Sequence, residues 1–161
     1  MAELAVAYDD EGVRIACASC LVVIIWLGSP RREQMEQVTA IQRVIVAEHG
    51  YCVSLSIVQD RLSVNVGEGV KEASAENMKE FASTNLGAAV VVEQGGIRAT
   101  IIRSLITGIQ LVAFSPLKQR VFGSTADALG WLGGRPGLPK DKSELIVGLD
   151  AQLQALLRGT G

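Results

Sequence analysis

Apolar and polar positions follow two rhythms along this chain, and each change of rhythm marks an element. Leu4 to Tyr8 reads as a short strand, and Asp9-Asp10-Glu11-Gly12 as a polar hairpin turn. Val13 to Leu27 is a second, longer apolar stretch with room for a bend or for two strands. Within it, the apolar run from Ile15 to Leu27 is too short to cross a bilayer as a helix, and its Val, Ile and Cys content suits the doubly buried centre of a sheet. Ser29 and Pro30 then supply an N-cap and a first helical residue, after which Met35, Val38, Ile41 and Ile45 recur at helical spacing until His49-Gly50. Tyr51 to Val58 is again strand-like.

Gln59 to Ala73 is polar and irregular and predicts an exposed loop. Ser74 predicts an N-cap for a helix that buries Ala75, Met78 and Ala82, and Ala88 to Glu93 predicts the next strand. Gly95-Gly96 breaks the chain before a predicted helix from Ile97 to Phe114. That helix is apolar on more than one side, through Ile101, Ile102, Leu105, Ile106 and Ile109, so it needs cover from the sheet and from a further helix or a second subunit. On it, Thr100, Arg103, Thr107 and Gln110 make a polar stripe that argues against a membrane span.

The segment from Gln119 to Leu132 predicts a strand turning directly into a helix that Ser124 caps, with Asp127 three positions later completing a capping box. Gly133 to Lys140 has the composition of a linker. Ser143 to Leu157 predicts a last amphipathic helix, with Leu145, Leu149, Leu153 and Leu156 near one face; it must dock to be stable in water. The expected organisation is an α/β domain over 1–132, a linker over 133–142 and a C-terminal helix and tail over 143–161.

With 161 residues, 48% of them hydrophobic, the chain can hold one core without disulfides or metal. A net charge of −2 and no basic patch argue against nucleic acid, and 4% aromatic residues are few for a base-stacking platform. The N-terminal residues lack the cationic start and long apolar run of a secretory signal, so a cytoplasmic location is expected.

Reactive groups are sparse. Cys17-Ala18-Ser19-Cys20 has the spacing of a metal or redox dithiol, but on one strand an offset of three points the thiols to opposite faces. Cys17, Cys20 and Cys52 therefore read as small buried hydrophobes. His49 is the single histidine and falls at a helix C-terminus, where the dipole accounts for it. Asp9, Asp10 and Glu11 belong to a turn, and Glu76 and Glu80 to a solvated helix face. No catalytic residue, metal ligand or cofactor is expected, and the chain reads as not an enzyme.

Three segments carry a family resemblance. They are Ala88-Ala89-Val90-Val91-Val92-Glu93; Gly96-Ile97-Arg98-Ala99 with Arg103-Ser104-Leu105-Ile106-Thr107-Gly108; and Arg120-Val121-Phe122 with Ala128-Leu129-Gly130-Trp131-Leu132. With the element order from Tyr8 to Leu132, they resemble the STAS domain, the sulfate-transporter and anti-sigma-antagonist module, and most closely its divergent, sporulation anti-sigma-antagonist-like bacterial branch. The likeness is specific in the second half and rests on topology in the first. It implies a mixed sheet of four to five strands with helices mainly on one face, and a regulatory or scaffolding role exerted by binding another protein, often under phosphorylation control. In typical members the phosphorylated serine or threonine follows an aspartate and precedes a short Ser-Gly stretch; the region from Asp60 to Ser74 lacks that motif, and Ser63 and Ser74 are the nearest hydroxyls. The expected partners are an unidentified regulator and a second copy of the chain. Arg98, Ile102, Arg103, Ile106 and Gln110 form the candidate interface. Gly95, Gly96 and Arg98, at the start of the same helix, form a candidate anion site, and an anion- or lipid-binding domain is the alternative reading.

Overall fold

The long apolar stretch after Gly12 folds back on itself. Ala5–Asp9 (β1) pairs antiparallel with Val13–Ala18 (β2), which pairs antiparallel with Leu21–Trp26 (β3), so Ala18 faces Leu21 across a two-residue turn. Ser19 occupies the left-handed region there, with φ 53°, as two-residue hairpins require. The computed structural model describes residues 3–58, 68–92 and 119–159.

Cys52–Val58 (β4), Asn85–Val92 (β5) and Gln119–Phe122 (β6) continue the sheet in parallel with β3, each strand beside its predecessor in the chain. The sheet is mixed, as expected. It has six strands among the described residues instead of four to five, because Val13 to Leu27 divides in two.

Arg32–His49 (α1) ends on Gly50, whose φ of 84° lets its N–H reach the Val46 carbonyl at 2.7 Å. It begins two residues later than Ser29-Pro30 suggests. Arg31 is the N-cap, and Gln34 at the third helical position accepts from the Arg31 N–H at 3.0 Å. Val70–Glu80 (α2) starts before Ser74: Gly69, at φ 79°, takes the capping position and its carbonyl accepts from the Ala73 N–H. Ser74 is thus inside the helix, and the loop expected to reach Ala73 ends earlier.

Thr125–Gly133 (α3) has the predicted cap, with Ser124 Oγ accepting from the Asp127 N–H at 3.2 Å. The expected last helix is two: Lys140–Val147 (α4) and Asp150–Arg158 (α5), separated at Gly148-Leu149. Glycine stabilises a helix interior poorly, and here it lies at the break.

Alternation along the strands sorts the interior into two layers. Val22, Ile24, Trp26, Val90 and Val92 pack with Val38 and Ile45 of α1. Leu21, Val23, Ile25, Val53, Leu55, Ile57, Ala89 and Val91 pack with Leu129 and Leu132 of α3, Ile146 of α4 and Leu149 and Leu153 beyond it. Helices therefore cover both faces, not mainly one. The cause is that α4 and α5 belong to the same core as the sheet, below α3. Gly133 permits this approach, since a Cβ there would lie 2.6 Å from Val147 Cγ2. The ends of the fold also meet, as the Leu4 N–H donates to Gln152 Oε1 at 3.0 Å.

Leu153 is fully buried, at 0% exposure. Leu153→Ala is expected to cost about 2–5 kcal/mol in a urea unfolding curve, with one cooperative transition. A loss below about 1 kcal/mol would mark α5 as an appendage to the core.

Candidate functional site

Of the residues singled out from sequence, Gly95, Gly96, Arg98, Ile102, Arg103, Ile106, Gln110 and Ser63 lie outside the described residues. Ser74 is half-buried in α2, one turn from the buried Val70 and Met78.

A polar cluster sits where the first hairpin meets the start of α1. Asp10 Oδ1 accepts from the Gly12 N–H at 2.7 Å and the Val13 N–H at 2.9 Å, and Oδ2 accepts from the Tyr8 hydroxyl at 2.9 Å. Gln34, with only 1% exposure, donates from Nε2 to the same carboxylate at 3.2 Å while its Oε1 holds the Arg31 N–H. Burial alone would raise the Asp10 carboxyl, but these donors outweigh it and hold it below its ordinary value of 3.8. A side chain at Gly12 would collide with Gln34, since its Cβ would fall 2.5 Å from Nε2. A carboxylate so fully occupied is a fastener between hairpin and helix, with little capacity left for a substrate.

The α1–α2 seam is polar. Asn77 donates to Thr39 Oγ1 at 2.8 Å and to the buried Gln42 Oε1 at 2.6 Å, and Arg43 grips Glu80 through Nε and Nη2, both at 2.6 Å. Glu80 is thus drawn toward α1, and its hydrogen bond from Arg43 lowers its carboxyl. Glu76 stands 3.9 Å from Arg32. Both carboxylates are exposed, as expected of a solvated face, and from there they also reach across to arginines of α1.

The thiols are buried or half-buried and unpaired. Cys17 packs toward the α1 layer and Cys20 into the opposite one, as expected, although a hairpin turn and not a single strand separates them. Burial pushes the Cys17 thiol up to about 11 and the Cys52 thiol up to about 12. His49 is the last residue of α1, its ring 6.5 Å from that of Tyr51. Among the described residues no group of three or more His, Cys, Asp or Glu side chains could hold a metal ion, and no helix is long and apolar enough to cross a membrane.

A cationic stripe runs from β6 across α3 to Arg135, two residues past its end. Arg120 and Phe122 alternate onto one face of β6, with the Arg120 Cζ 5.4 Å from the Phe122 ring centre. That ring lies 5.6 Å from Trp131 at a 51° tilt, and the Arg135 Cζ lies 4.6 Å from the Trp131 ring centre. Arg135 Nε also donates to the Leu86 carbonyl at 3.0 Å. The Arg135 stem lies over Gly87, where a Cβ would fall 2.9 Å from Arg135 Cγ. Gly87 sits where β5 carries an extra residue: Asn85 and Ala88 face Cys52 and Ser54.

No family model, curated protein or solved structure matches the chain. Sequence reasoning missed both the Asp10–Gln34 fastener and the stripe. The usable signals were Gln34 at the third helical position, the two-residue offset of Arg120 and Phe122 on a strand, and the four-residue offset of Trp131 and Arg135 at a helix end.

Because the folded Asp10 carboxyl lies below its unfolded value, its stabilisation is present above about pH 4 and fades as pH falls through the lower, folded value. Asp10→Asn is expected to lower Tm at pH 7, with the gap to wild type narrowing on acidification below pH 4; a gap that widened would refute the fastener. Native-state alkylation of Cys17 and Cys52 at pH 8 is expected to be at least about a hundredfold slower than in denaturant, as read by mass spectrometry.

Proposed function

We infer that this chain is a non-enzymatic regulatory or scaffolding protein of STAS-like type, which acts in the cytoplasm by binding another protein and by self-association. One observation carries the reading. Arg120, in the strand-and-helix unit up to Leu132 that bears part of the family resemblance, and Arg135, just past its helix, each rest a guanidinium on an aromatic ring, and neither has an ion-pair partner among the described residues. The element order supports it too, with two antiparallel pairings followed by parallel strands alternating with α1 and α2. Groups that could do chemistry are committed to the fold: Asp10 is saturated with donors, and the Cys17 and Cys52 thiols are raised by burial.

Control by phosphorylation would act differently at Ser74 than at an open cap. Ser74 shares a face of α2 with Val70 and Met78, and Met78 packs on Ala88 of β5. A phosphate there would bring about two negative charges against that packing and lift α2 from the sheet.

Cross-linking and purification of the tagged chain from its own cells, followed by reconstitution with the purified partner, tests the reading. A complex of defined stoichiometry that re-forms from pure components is expected. A chain that stays alone, or one that shows a turnover abolished by a single side-chain change, would overturn it. Ser74→Glu is expected to lower Tm by several degrees, whereas Ser74→Ala leaves it within about two.

A further inference from the structure

The geometry points to an acidic peptide segment of a partner protein, carrying two carboxylates around an aliphatic side chain, as the occupant of the stripe formed by Arg120, Phe122, Trp131 and Arg135. This rests on the reading above that the chain works through protein contacts.

Charge is the first argument. Arg14, Arg31, Arg32 and Arg43 each stand within salt-bridge distance of a carboxylate, whereas Arg120, Arg135 and the terminal Arg158 have none among the described residues, and of these three only Arg120 and Arg135 stack on rings. Two cations without an ion pair among the described residues thus flank two rings on a protein whose net charge is −2.

Geometry is the second. A guanidinium stacked over a ring uses its flat face for that contact and keeps its N–H edge free, in the fork that matches a carboxylate. Arg135 is held further: its Nε is bound to the Leu86 carbonyl and its stem is seated over Gly87, while its two Nη groups have no hydrogen-bond partner among the described residues and are the atoms a ligand would meet. Side chains already held in place lose less rotamer freedom on binding, which favours association. Between the two forks, the half-buried Phe122 and Trp131 offer apolar surface to an aliphatic side chain.

The same geometry disfavours nucleic acid. Each ring has a guanidinium over it and the other ring tilted beside it, so neither offers the open platform on which a base stacks. Two arginines on an acidic protein also neutralise little of a polyphosphate backbone.

The test is a calorimetric titration of the full chain with acetyl-Glu-Glu-Leu-Glu-Glu-amide. The controls are its all-Gln counterpart and an oligothymidylate of similar length, with the Trp131 indole N–H followed by NMR. The Glu peptide is expected to bind, to shift the Trp131 signal and to weaken with salt, while the Gln peptide binds at least tenfold less tightly. Arg120→Gln and Arg135→Gln are each expected to weaken binding about two- to fivefold, and Arg120→Lys also weakens it, because charge without the fork loses the stacked geometry. Equal binding of the Glu and Gln peptides, tighter binding of the oligothymidylate, or an Arg120→Gln variant as tight as wild type would overturn the inference. Should Arg135→Gln fail to fold for want of its bond to Leu86, the exposed Arg120 decides alone. A reconstituted partner complex insensitive to Arg120→Gln removes this inference and leaves the protein-binding reading. Peptide binding by a chain that captures no partner does the reverse.

Discussion

Burial of β3 on both faces is the constraint on which the rest of the structure depends. All six residues from Leu21 to Trp26 are buried, so one layer of helices could never suffice. Odd-numbered positions need cover from one side and even-numbered ones from the other. The chain meets the first need with α3, α4 and α5, and the second with α1. At about 25 cal/mol for each Å² of apolar area removed from water, neither layer is dispensable. The three C-terminal helices are accordingly as structural as the strands they cover.

Around this apolar centre, specificity of assembly comes from a few polar fasteners. Asp10 and Gln34 set the angle at which α1 leaves the hairpin, and Arg43, Asn77 and Glu80 set where α2 rests on α1. Thr125 and Gln154 play a similar part at the other end, where Thr125 Oγ1 donates to Asp150 and accepts from Gln154 Nε2 at 2.6 Å. Each is a directional contact between elements far apart in sequence. Such contacts add modestly to stability but are costly to leave half-made when buried, and that asymmetry selects one docking over its near alternatives.

Most elements were legible in the sequence, because period-2 and period-3.6 patterns report burial directly. The stripe of Val38 and Ile45, the strand from Cys52 to Val58 and the Ser124 cap all follow from local chemistry. Three features did not. The helix starts at Arg31 and Gly69 were hidden because a serine near each was the better cap by type, while the chosen starts depend on Gln34 reaching back and on a left-handed glycine. Cover on both faces was hidden because the glycines and prolines of 133–140 have the composition of a linker, although the chain there turns tightly between packed helices. The arginine-aromatic stripe was hidden because its four members come together only once β6 and α3 pack side by side.

The order of the strands has a consequence for synthesis. Every described strand lies next to the described strand made just before it, so the sheet can grow from β1 to β6 as the chain emerges, with each new strand adding to a finished edge. The helices that cover the face formed by Leu21, Val23, Leu55 and Val91 are the last to appear. A nascent chain interrupted before residue 125 would therefore lack the cover that α3, α4 and α5 give this face. Slow decoding just ahead of α3 would lengthen the period in which that face waits for them.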